Sequence, residues 1–234
     1  MTDAALPPGH TDHGGARRIA VRQRVRIPLR GVPEPVEFVS FTGLAAGDEP
    51  VALLFGGIDL HTPVRVRVHS ECLTGDVFHS LKCDCGPQLQ EAMEQLSASG
   101  GALLYLRQEG RGIGLYAKLD ACRLQSQGLD TFEANRRLGF ADDLRTYGDA
   151  AAMLRALNIT TVELLSNNPD KAHQLQAHGL QVTAVQPTAA HVNVHNRHYL
   201  TVKRQQHRHA LNLDITVAQV DRLNAFSNPS AKGQ

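Results

Sequence analysis

The sequence predicts an α/β fold in which a mixed β-sheet is flanked by helices. Short β-branched segments follow one another in the first third of the chain, without a helical pattern between them. From about residue 88 onward, segments of helical periodicity alternate with apolar strands. Alternating strands and helices are typical of an α/β core, whereas consecutive strands indicate that part of the sheet is antiparallel. With 234 residues, of which 42% are hydrophobic, the chain can bury a sizeable core.

Each element follows from its local pattern. Arginines alternate with apolar residues over 19–30, which predicts an edge strand with a solvated charged face, although such a stripe could also contact a phosphate or a nucleic acid. Further strands are predicted over 36–41, 51–55, 64–68, 102–106, 160–165 and 180–185. Helices are predicted over 88–96, 149–157, 171–178 and 199–211.

The composition excludes several classes of protein. A net charge of +1 is too small for a general nucleic-acid binder. No apolar run approaches the roughly 20 residues that span a bilayer, and the first residues lack the apolar segment of a secretory signal. We therefore expect a cytoplasmic protein with neither nucleic acid nor membrane as a partner. We expect a flexible leader over 1–19, one folded domain over 20–211 and a C-terminal tail over 212–234.

Three of the four cysteines, Cys72, Cys83 and Cys85, form a C-x10-C-x-C pattern. On an extended segment, Cys83 and Cys85, with one residue between them, point to the same side. The loop that joins them to Cys72 is long enough to bring the third thiolate to the same point. Three thiolates form a Zn²⁺ site whose fourth tetrahedral position stays open for a water of lowered pKa. A fourth ligand, such as His69 or Cys122, would instead make the zinc structural, and buried thiols without a metal are the remaining alternative.

Glu71 precedes the first of these cysteines, where a carboxylate can orient a zinc-bound water or carry its proton. The triplet H-S-E at 69–71 is also similar to the start of the zinc nucleobase deaminase signature, but the P-C-x-x-C partner is missing. In this site, as in the deaminases, a zinc-bound hydroxide beside a glutamate suits attack on an electron-poor ring carbon of a nucleobase.

Two further segments suit an anion. The stretch R-Q-E-G-R-G-I-G at 107–114 follows a predicted strand and combines glycines with a cationic arginine. In S-N-N-P-D-K at 166–171, Asn168 can cap a helix and Pro169 fits its first position, which leaves N–H groups for an anion. Lys171 in that first turn opposes the helix dipole, and a bound phosphate explains it better than stability does.

Asp143 and Arg145 lie two residues apart in A-D-D-L-R-T-Y at 141–147. If this segment is extended, their side chains face the same side and can form an ion pair. Together, zinc, a glutamate and several anion sites predict hydrolysis of a ring in a phosphorylated nucleotide.

The chain contains five ordered motifs, R-V-H-S-E-C-L-T-G-D at 67–76, S-L-K-C-D-C-G-P-Q-L at 80–89, R-Q-E-G-R-G-I-G-L at 107–115, D-T-F-E-A-N-R-R-L-G-F-A-D-D-L-R-T-Y-G at 130–148 and L-L-S-N-N-P-D-K at 164–171. These motifs resemble those of GTP cyclohydrolase II, the family that begins riboflavin synthesis. The similarity spans about 36–211. It implies a single domain of the GTP cyclohydrolase II type, a homodimer, one catalytic Zn²⁺ per subunit and Mg²⁺ with the triphosphate.

Matching the family's motifs residue by residue implies roles for individual side chains. Asp143 matches the proton acceptor, and Arg145 matches an arginine proposed to attack the α-phosphate. Glu71 matches a segment that contacts GTP, and its catalytic role rests on its position beside Cys72. A guanidinium is a poor nucleophile, so a phosphate clamp is the alternative role for Arg145. The implied zinc ligands are Cys72, Cys83 and Cys85. The implied substrate contacts are Arg67, Val68, His69, Ser70, Glu71, Gln88, Glu109, Gly110, Arg111, Thr131, Ser166 and Lys171.

The resemblance implies a hydrolase that opens the imidazole ring of GTP at C8, releasing formate and pyrophosphate. One departure from the family is Cys122, which stands where a tyrosine associated with ring hydrolysis is usual. A thiol is shorter than a phenol and a weaker donor, and Tyr116 is a candidate to substitute for it. The alternatives are therefore an enzyme that stops at the formamidopyrimidine nucleotide and a non-catalytic GTP-binding paralogue.

Overall fold

The computed structural model describes residues 18–44, 49–197, 200 and 201, apart from the side chains of residues 131 and 132. Residues 1–17 of the predicted leader over 1–19, and the whole predicted tail over 212–234, lie outside the described residues. Of the helix predicted over 199–211, residues 200 and 201 are described, and both are helical.

The chain alternates strands and helices after an initial run of strands, as predicted. The strands are β1 (Ala20–Ile27), β2 (Val36–Thr42), β3 (Val51–Phe55), β4 (Val64–Ser70), β5 (Gly101–Leu106), β6 (Thr161–Leu165) and β7 (Gln181–Gln186). The helices are α1 (Leu73–Asp76), α2 (Cys85–Ser99), α3 (Leu115–Ser126), α4 (Thr131–Arg137), α5 (Gly148–Ala156) and α6 (Pro169–Ala177), with a 3₁₀ turn over Glu109–Gly112. No helix among these described elements is long and apolar enough to cross a membrane.

The strands form one mixed sheet in the order β1-β2-β3-β5-β4-β6-β7. The pairs β1–β2, β2–β3 and β3–β5 are antiparallel, whereas β5–β4, β4–β6 and β6–β7 are parallel. This arrangement confirms the predicted mixed sheet. β1 lies at an edge of the sheet, and its arginines are exposed, as expected for a charged edge strand.

Helices cover both faces of the sheet. Successive strand residues point to opposite sides, so each face presents apolar side chains for a helix to cover. On one face Leu104 packs in a cluster with Met153 and Leu154 of α5. On the other face Leu103 packs in a cluster with Leu96 of α2. All five side chains are fully buried.

The parallel strands β4, β5 and β6 end at Ser70, Leu106 and Leu165, on the same edge of the sheet. In open α/β sheets, ligands bind outside the carboxyl ends of the strands. The motifs at 67–76, 107–115 and 164–171 all lie at these strand ends, so the fold brings them together.

Candidate active site

A cavity of about 390 Å³ opens at this edge of the sheet. Its walls come from the end of β4, the start of α2, the 3₁₀ turn, helix α3 and the segment before α6. All five motifs contribute predicted site residues to these walls, the fourth motif through Arg145.

The sulfurs of Cys72, Cys83 and Cys85 lie within 4.8 Å of one another. Cys72 immediately precedes α1, Cys83 lies in a loop, and Cys85 is the first residue of α2. The predicted clustering is therefore confirmed, but its predicted cause is wrong, because Cys83 and Cys85 do not lie on an extended strand. The turn from loop into helix directs the two sulfurs to one point.

Two glycines allow the cysteine loops to approach each other. A Cβ on Gly75 would lie 2.8 Å from Cys83 Sγ and 3.1 Å from Cys72 Sγ. A Cβ on Gly86 would collide with the Gly75 carbonyl. The space between the loops therefore requires hydrogen at both positions.

The donor set fits a soft metal ion such as Zn²⁺, because three thiol sulfurs converge at ligand spacing. Hydrogen bonds from Cys83 and Cys85 hold the pKa of Cys72 well below its usual range, while the bond to Cys72 raises the pKa of Cys83 to about 11. Among the described residues these three form the only such group, and neither His69 nor Cys122 joins it. A structural zinc with either of them as fourth ligand does not match this geometry.

His69 is held from one side by a buried carboxylate. Its Nε2 lies 3.1 Å from Asp76 Oδ2, an oxygen that also accepts hydrogen bonds from Tyr105 OH and from the Cys72 backbone N–H, each at 2.9 Å. The imidazole stacks on the Tyr105 ring. Burial lowers the pKa of His69, which favours the neutral ring, and the carboxylate that faces Nε2 favours the tautomer with its proton on that atom. Nδ1 is then an acceptor, and it has no hydrogen-bond partner in the described part of the chain.

Glu109 lies in the 3₁₀ turn, where Gly110 and Arg111 both adopt left-handed backbone angles, with φ of 61° and 64°. Its carboxylate accepts from Leu73 N at 2.6 Å, from Gly110 N at 2.9 Å and from Lys118 Nζ at 2.8 Å. The predicted substrate residue Glu109 therefore joins three elements of the site wall through contacts within the protein.

Arg145 and Asp143 form a two-pronged ion pair, with Nε 2.9 Å from Oδ1 and Nη2 2.6 Å from Oδ2. Burial alone would raise the pKa of Asp143, but the hydrogen bonds and charge of Arg145 lower it below its usual value. Arg145 lines the cavity, whereas Asp143 is not among the lining residues. The predicted ion pair is present, although the segment that carries it is irregular and not a strand.

The buried Arg67 guanidinium connects β4 to its neighbours. It donates to the Leu165 carbonyl at 3.2 Å and to Gln88 Oε1 at 2.9 Å. Gln88 in turn donates to Asp84 Oδ2 at 2.6 Å. Since Asp84 lies between two of the cysteines, this chain of polar contacts connects the parallel strands with the cysteine cluster.

The start of α6 has the predicted cap. Asn168 Oδ1 accepts from Asp170 N at 3.0 Å, and Pro169 is the first helical residue. Lys171 is buried, donates to the Val68 carbonyl at 2.6 Å and lies 5.5 Å from the centre of the Tyr147 ring. These contacts explain part of its position, and Lys171 also lines the cavity, so phosphate binding by this lysine stays a prediction.

The comparisons with known proteins agree with this geometry. A family model described as GTP cyclohydrolase II matches residues 21–187. The chain belongs to the GTP cyclohydrolase II family. GTP cyclohydrolase-2 of Aliivibrio fischeri is 56% identical over 182 residues, which cover 77% of this chain and 90% of that protein. GTP cyclohydrolase-2 of Vibrio cholerae is 52% identical over 179 residues, covering 76% and 90%.

A more distant relative is the Riboflavin biosynthesis protein RibBA of Bacillus subtilis, 50% identical over 184 residues that cover 76% of this chain and 46% of that protein. Membership of the GTP cyclohydrolase II family confirms the prediction that the chain is a hydrolase. It also confirms the predicted α/β fold of the GTP cyclohydrolase II type.

Not every residue implied by the GTP cyclohydrolase II resemblance lines the cavity. Val68 is buried and offers its carbonyl to Lys171 instead. Thr131 begins α4, and its side chain lies outside what the structure describes. The implied residues on the cavity wall are Arg67, His69, Ser70, Glu71, Cys72, Cys83, Cys85, Gln88, Glu109, Gly110, Arg111, Arg145, Ser166 and Lys171.

The hypothesis that Tyr116 substitutes for the family's tyrosine is wrong. Its side chain is 84% exposed and is not among the cavity-lining residues, whereas Cys122 is. The site residues not foreseen from the sequence are Asp76, Tyr105 and Lys118. Asp76 falls within the first motif, which offered a signal, but Lys118 is separated from its sulfur partner by 46 positions and had none.

Proposed function

We propose that this chain opens the imidazole ring of GTP at C8, releasing formate and pyrophosphate. The remaining product is 2,5-diamino-6-(5-phosphoribosylamino)pyrimidin-4-one, in the first step of riboflavin biosynthesis. The observation that carries the proposal is a cluster of three sulfurs on the wall of the same cavity as Arg145 and Lys171. A soft-metal site beside cations suits a nucleotide whose base is hydrolysed and whose phosphates need charged partners. The names of the relatives support GTP as the substrate.

We propose that Cys72, Cys83 and Cys85 hold one Zn²⁺ per subunit. When bound, this ion supplies Lewis acidity and lowers the pKa of a water near the base. Mg²⁺ accompanies the triphosphate, as is usual where pyrophosphate leaves. The three cysteine sulfurs support the Zn²⁺ proposal because they are soft donors. The phosphate oxygens of GTP support the Mg²⁺ proposal because they are hard donors.

The side chains around the cavity have distinct proposed roles. Glu71, next to the first cysteine and hydrogen-bonded by Arg107 Nε at 2.9 Å, moves the proton during ring hydrolysis. His69 accepts a hydrogen bond from the substrate at Nδ1, the atom that the protein leaves unpartnered. Lys171 and the N-terminus of α6 bind phosphate oxygens. The remaining proposed contacts are Arg67, Val68, Ser70, Gln88, Glu109, Gly110, Arg111, Thr131 and Ser166.

For Arg145 we propose a phosphate clamp, with Asp143 as the carboxylate that orients it and the site's proton acceptor. The two-pronged ion pair favours the protonated guanidinium, which binds phosphate well and attacks it poorly. Nucleophilic attack by Arg145 would leave a phosphoguanylyl group on the protein. Intact-mass spectrometry of quenched single turnovers tests this, and an adduct on wild type that is missing from Arg145→Lys would overturn the clamp.

The function is tested by incubating the zinc-loaded protein with GTP and Mg²⁺, then identifying products by mass spectrometry and quantifying formate. We expect one formate per GTP together with the diaminopyrimidinone phosphate. Cys83→Ser is the matched control and is expected to lose zinc and activity together. Unchanged GTP with the wild-type protein would overturn the proposal and leave a nucleotide-binding paralogue. Ammonia instead of formate would indicate a deaminase.

A second candidate function is favoured by the position of Cys122 on the cavity wall, without Tyr116 nearby to replace the phenol. In this candidate the ring opens but the formamide remains, so that a formamidopyrimidine nucleotide accumulates without formate. Cys122→Tyr would then gain formate release, whereas it would leave the stoichiometry of a complete enzyme unchanged.

We further propose that the enzyme works as a cytoplasmic homodimer, in keeping with the biosynthetic relatives. Light scattering of the purified full-length chain tests the assembly, and a monomer mass at micromolar concentration would contradict it.

A further inference from the structure

Lys118 lies on α3 and reaches the cysteine cluster. Its Nζ is 3.1 Å from Cys72 Sγ, 3.0 Å from Thr74 Oγ1 and 2.8 Å from Glu109 Oε1. An ammonium group has three protons, and these three contacts use all of them. Although it lines the cavity, Lys118 is therefore committed to the protein and has no donor left for a phosphate.

Glu109 fixes the ammonium from the other side. Its two oxygens also accept from the backbone N–H groups of Leu73 and Gly110, at 2.6 and 2.9 Å. Leu73 follows Cys72 directly and begins α1, so one carboxylate positions both the lysine and the backbone next to a sulfur ligand. The Lys118 side chain is 18% exposed and that of Glu109 is 8% exposed, which limits screening by water.

Such an arrangement has a specific consequence for a metal on three thiolates. Three negative sulfurs outweigh the charge of a divalent ion, and their electron donation reduces its Lewis acidity. A charge-assisted N–H···S hydrogen bond withdraws electron density from the sulfur and also fixes its orientation. Partners of metal ligands commonly tune the metal in this way.

We propose that Lys118 is a positioning residue of the metal site, which donates a hydrogen bond to the Cys72 thiolate and reduces its electron donation to the ion, with Glu109 as its anchor. This inference rests on the proposed zinc site. It gives Glu109, which is also a proposed substrate contact, a second role as support of the metal centre through Lys118. A lysine that serves only as a structural ion pair with Glu109 would not affect the electronic state of the bound metal.

The test replaces zinc by Co²⁺, whose thiolate-to-metal charge-transfer band reports electron donation from sulfur. Lys118→Met removes the donor while keeping the length of the side chain, and we expect the band to move to longer wavelength. We also expect a loss of about tenfold in Zn²⁺ affinity, measured by competition with a chelator. Lys82→Met is the matched control, because Lys82 is exposed on the same cavity and adjoins Cys83 in sequence.

Glu109→Gln provides a second route that keeps the lysine, should Lys118→Met lower the yield of folded protein. It is expected to shift the band in the same direction by a smaller amount, because the ammonium loses its anchor but not its charge. If the spectra of Lys118→Met and Glu109→Gln superimpose on the wild-type spectrum, the proposed role of Lys118 is overturned and the zinc proposal is unaffected. A wild-type protein that binds neither Co²⁺ nor Zn²⁺ would overturn the zinc proposal as well.

Discussion

Arg145 holds both carboxylate oxygens of Asp143, with the shortest contact at 2.6 Å from Nη2 to Oδ2. The Arg145 backbone N–H donates to the same carboxylate at 3.0 Å. The pair therefore behaves as one unit in which the anion orients the cation toward the cavity. Left-handed angles in the 3₁₀ turn support this segment, because the carbonyl of Arg111 accepts from Leu144 N at 3.0 Å.

This pairing predicts how Asp143 responds to pH. Its pKa is lowered in the folded state, so the pair's contribution to stability is fully present above the unfolded value of about 3.9 and is lost as the pH falls through the folded value. In Arg145→Gln we expect the pKa of Asp143 to rise, since burial then opposes ionisation with less compensation. Carboxyl ¹³C titration by NMR checks this. The same variant should lose about a hundredfold in activity. An unchanged titration curve would contradict the ion pair.

The glycine between the cysteine loops predicts a selective loss of metal. Gly75→Ala would place a Cβ 2.8 Å from Cys83 Sγ, which must displace a sulfur or the loop that carries it. We expect zinc affinity to fall by about tenfold or more, measured as metal per chain after dialysis against a chelator. Gly57→Ala is the control, because no atom lies within 4 Å of its Cβ position. Equal zinc content in both variants would show that the loops can accommodate the extra Cβ without losing the metal, and would contradict the prediction.

Asp76 predicts a stability effect that is coupled to His69. Asp76→Asn exchanges a buried carboxylate acceptor for an amide that cannot accept from Tyr105, Cys72 N and His69 together. We expect a loss of about 2–3 kcal/mol in unfolding free energy, and about 1 kcal/mol for Tyr105→Phe, which removes one donor. Urea denaturation measures both. In Asp76→Asn, ¹⁵N shifts of His69 should also reveal a mixed tautomer, whereas an unaltered Nε2–H tautomer would contradict the network.

Lys171 predicts a difference between two ligands. Lys171→Met should weaken binding of a non-hydrolysable GTP analogue by about tenfold to a hundredfold, as expected for a charged hydrogen bond to phosphate. Guanosine binding should change little. Calorimetry with both ligands checks this. Asn168→Ala loses the cap, at about 1 kcal/mol of stability, while keeping the lysine, so it tests the proposed contribution of the α6 N-terminus separately. If guanosine binding weakened equally, Lys171 would be shown to contact the base or to maintain the fold, and not to bind phosphate.

The strands were predictable because each is a short run whose side chains alternate or are uniformly buried. β4, for example, is apolar at Val64, Val66 and Val68 and pairs on both sides. Helices α1, α3 and α4 were not predicted, since α1 has four residues and α3 shows no continuous apolar stripe. The position of β5 between β3 and β4 was also not predictable, because strand order depends on contacts distant in sequence.

The chemistry of the site was largely readable from residue types. The spacing of Cys72, Cys83 and Cys85 predicted their convergence, although a helix start rather than an extended strand produces it. The pairing of Asp143 with Arg145 followed from their separation of two residues. The second prediction succeeded because Asp143 and Arg145 are close in the chain, whereas Cys72 and Cys83, 11 positions apart, are brought together by the fold.

By itself, the sequence determined the fold class, the order of most elements, the three cysteines that cluster and the family motifs. Only the tertiary structure decided which side chains support them, including Lys118 on Cys72, Asp76 on His69, and the outward direction of Tyr116. The physical reason is the separation along the chain between the residues that interact. Hydrophobic period, capping and turn chemistry act between residues close in the chain, whereas the contacts that orient a reactive atom join α3 to Cys72 and α1, and α1 to the end of β4. These contacts arise when the core closes, and no local pattern encodes them.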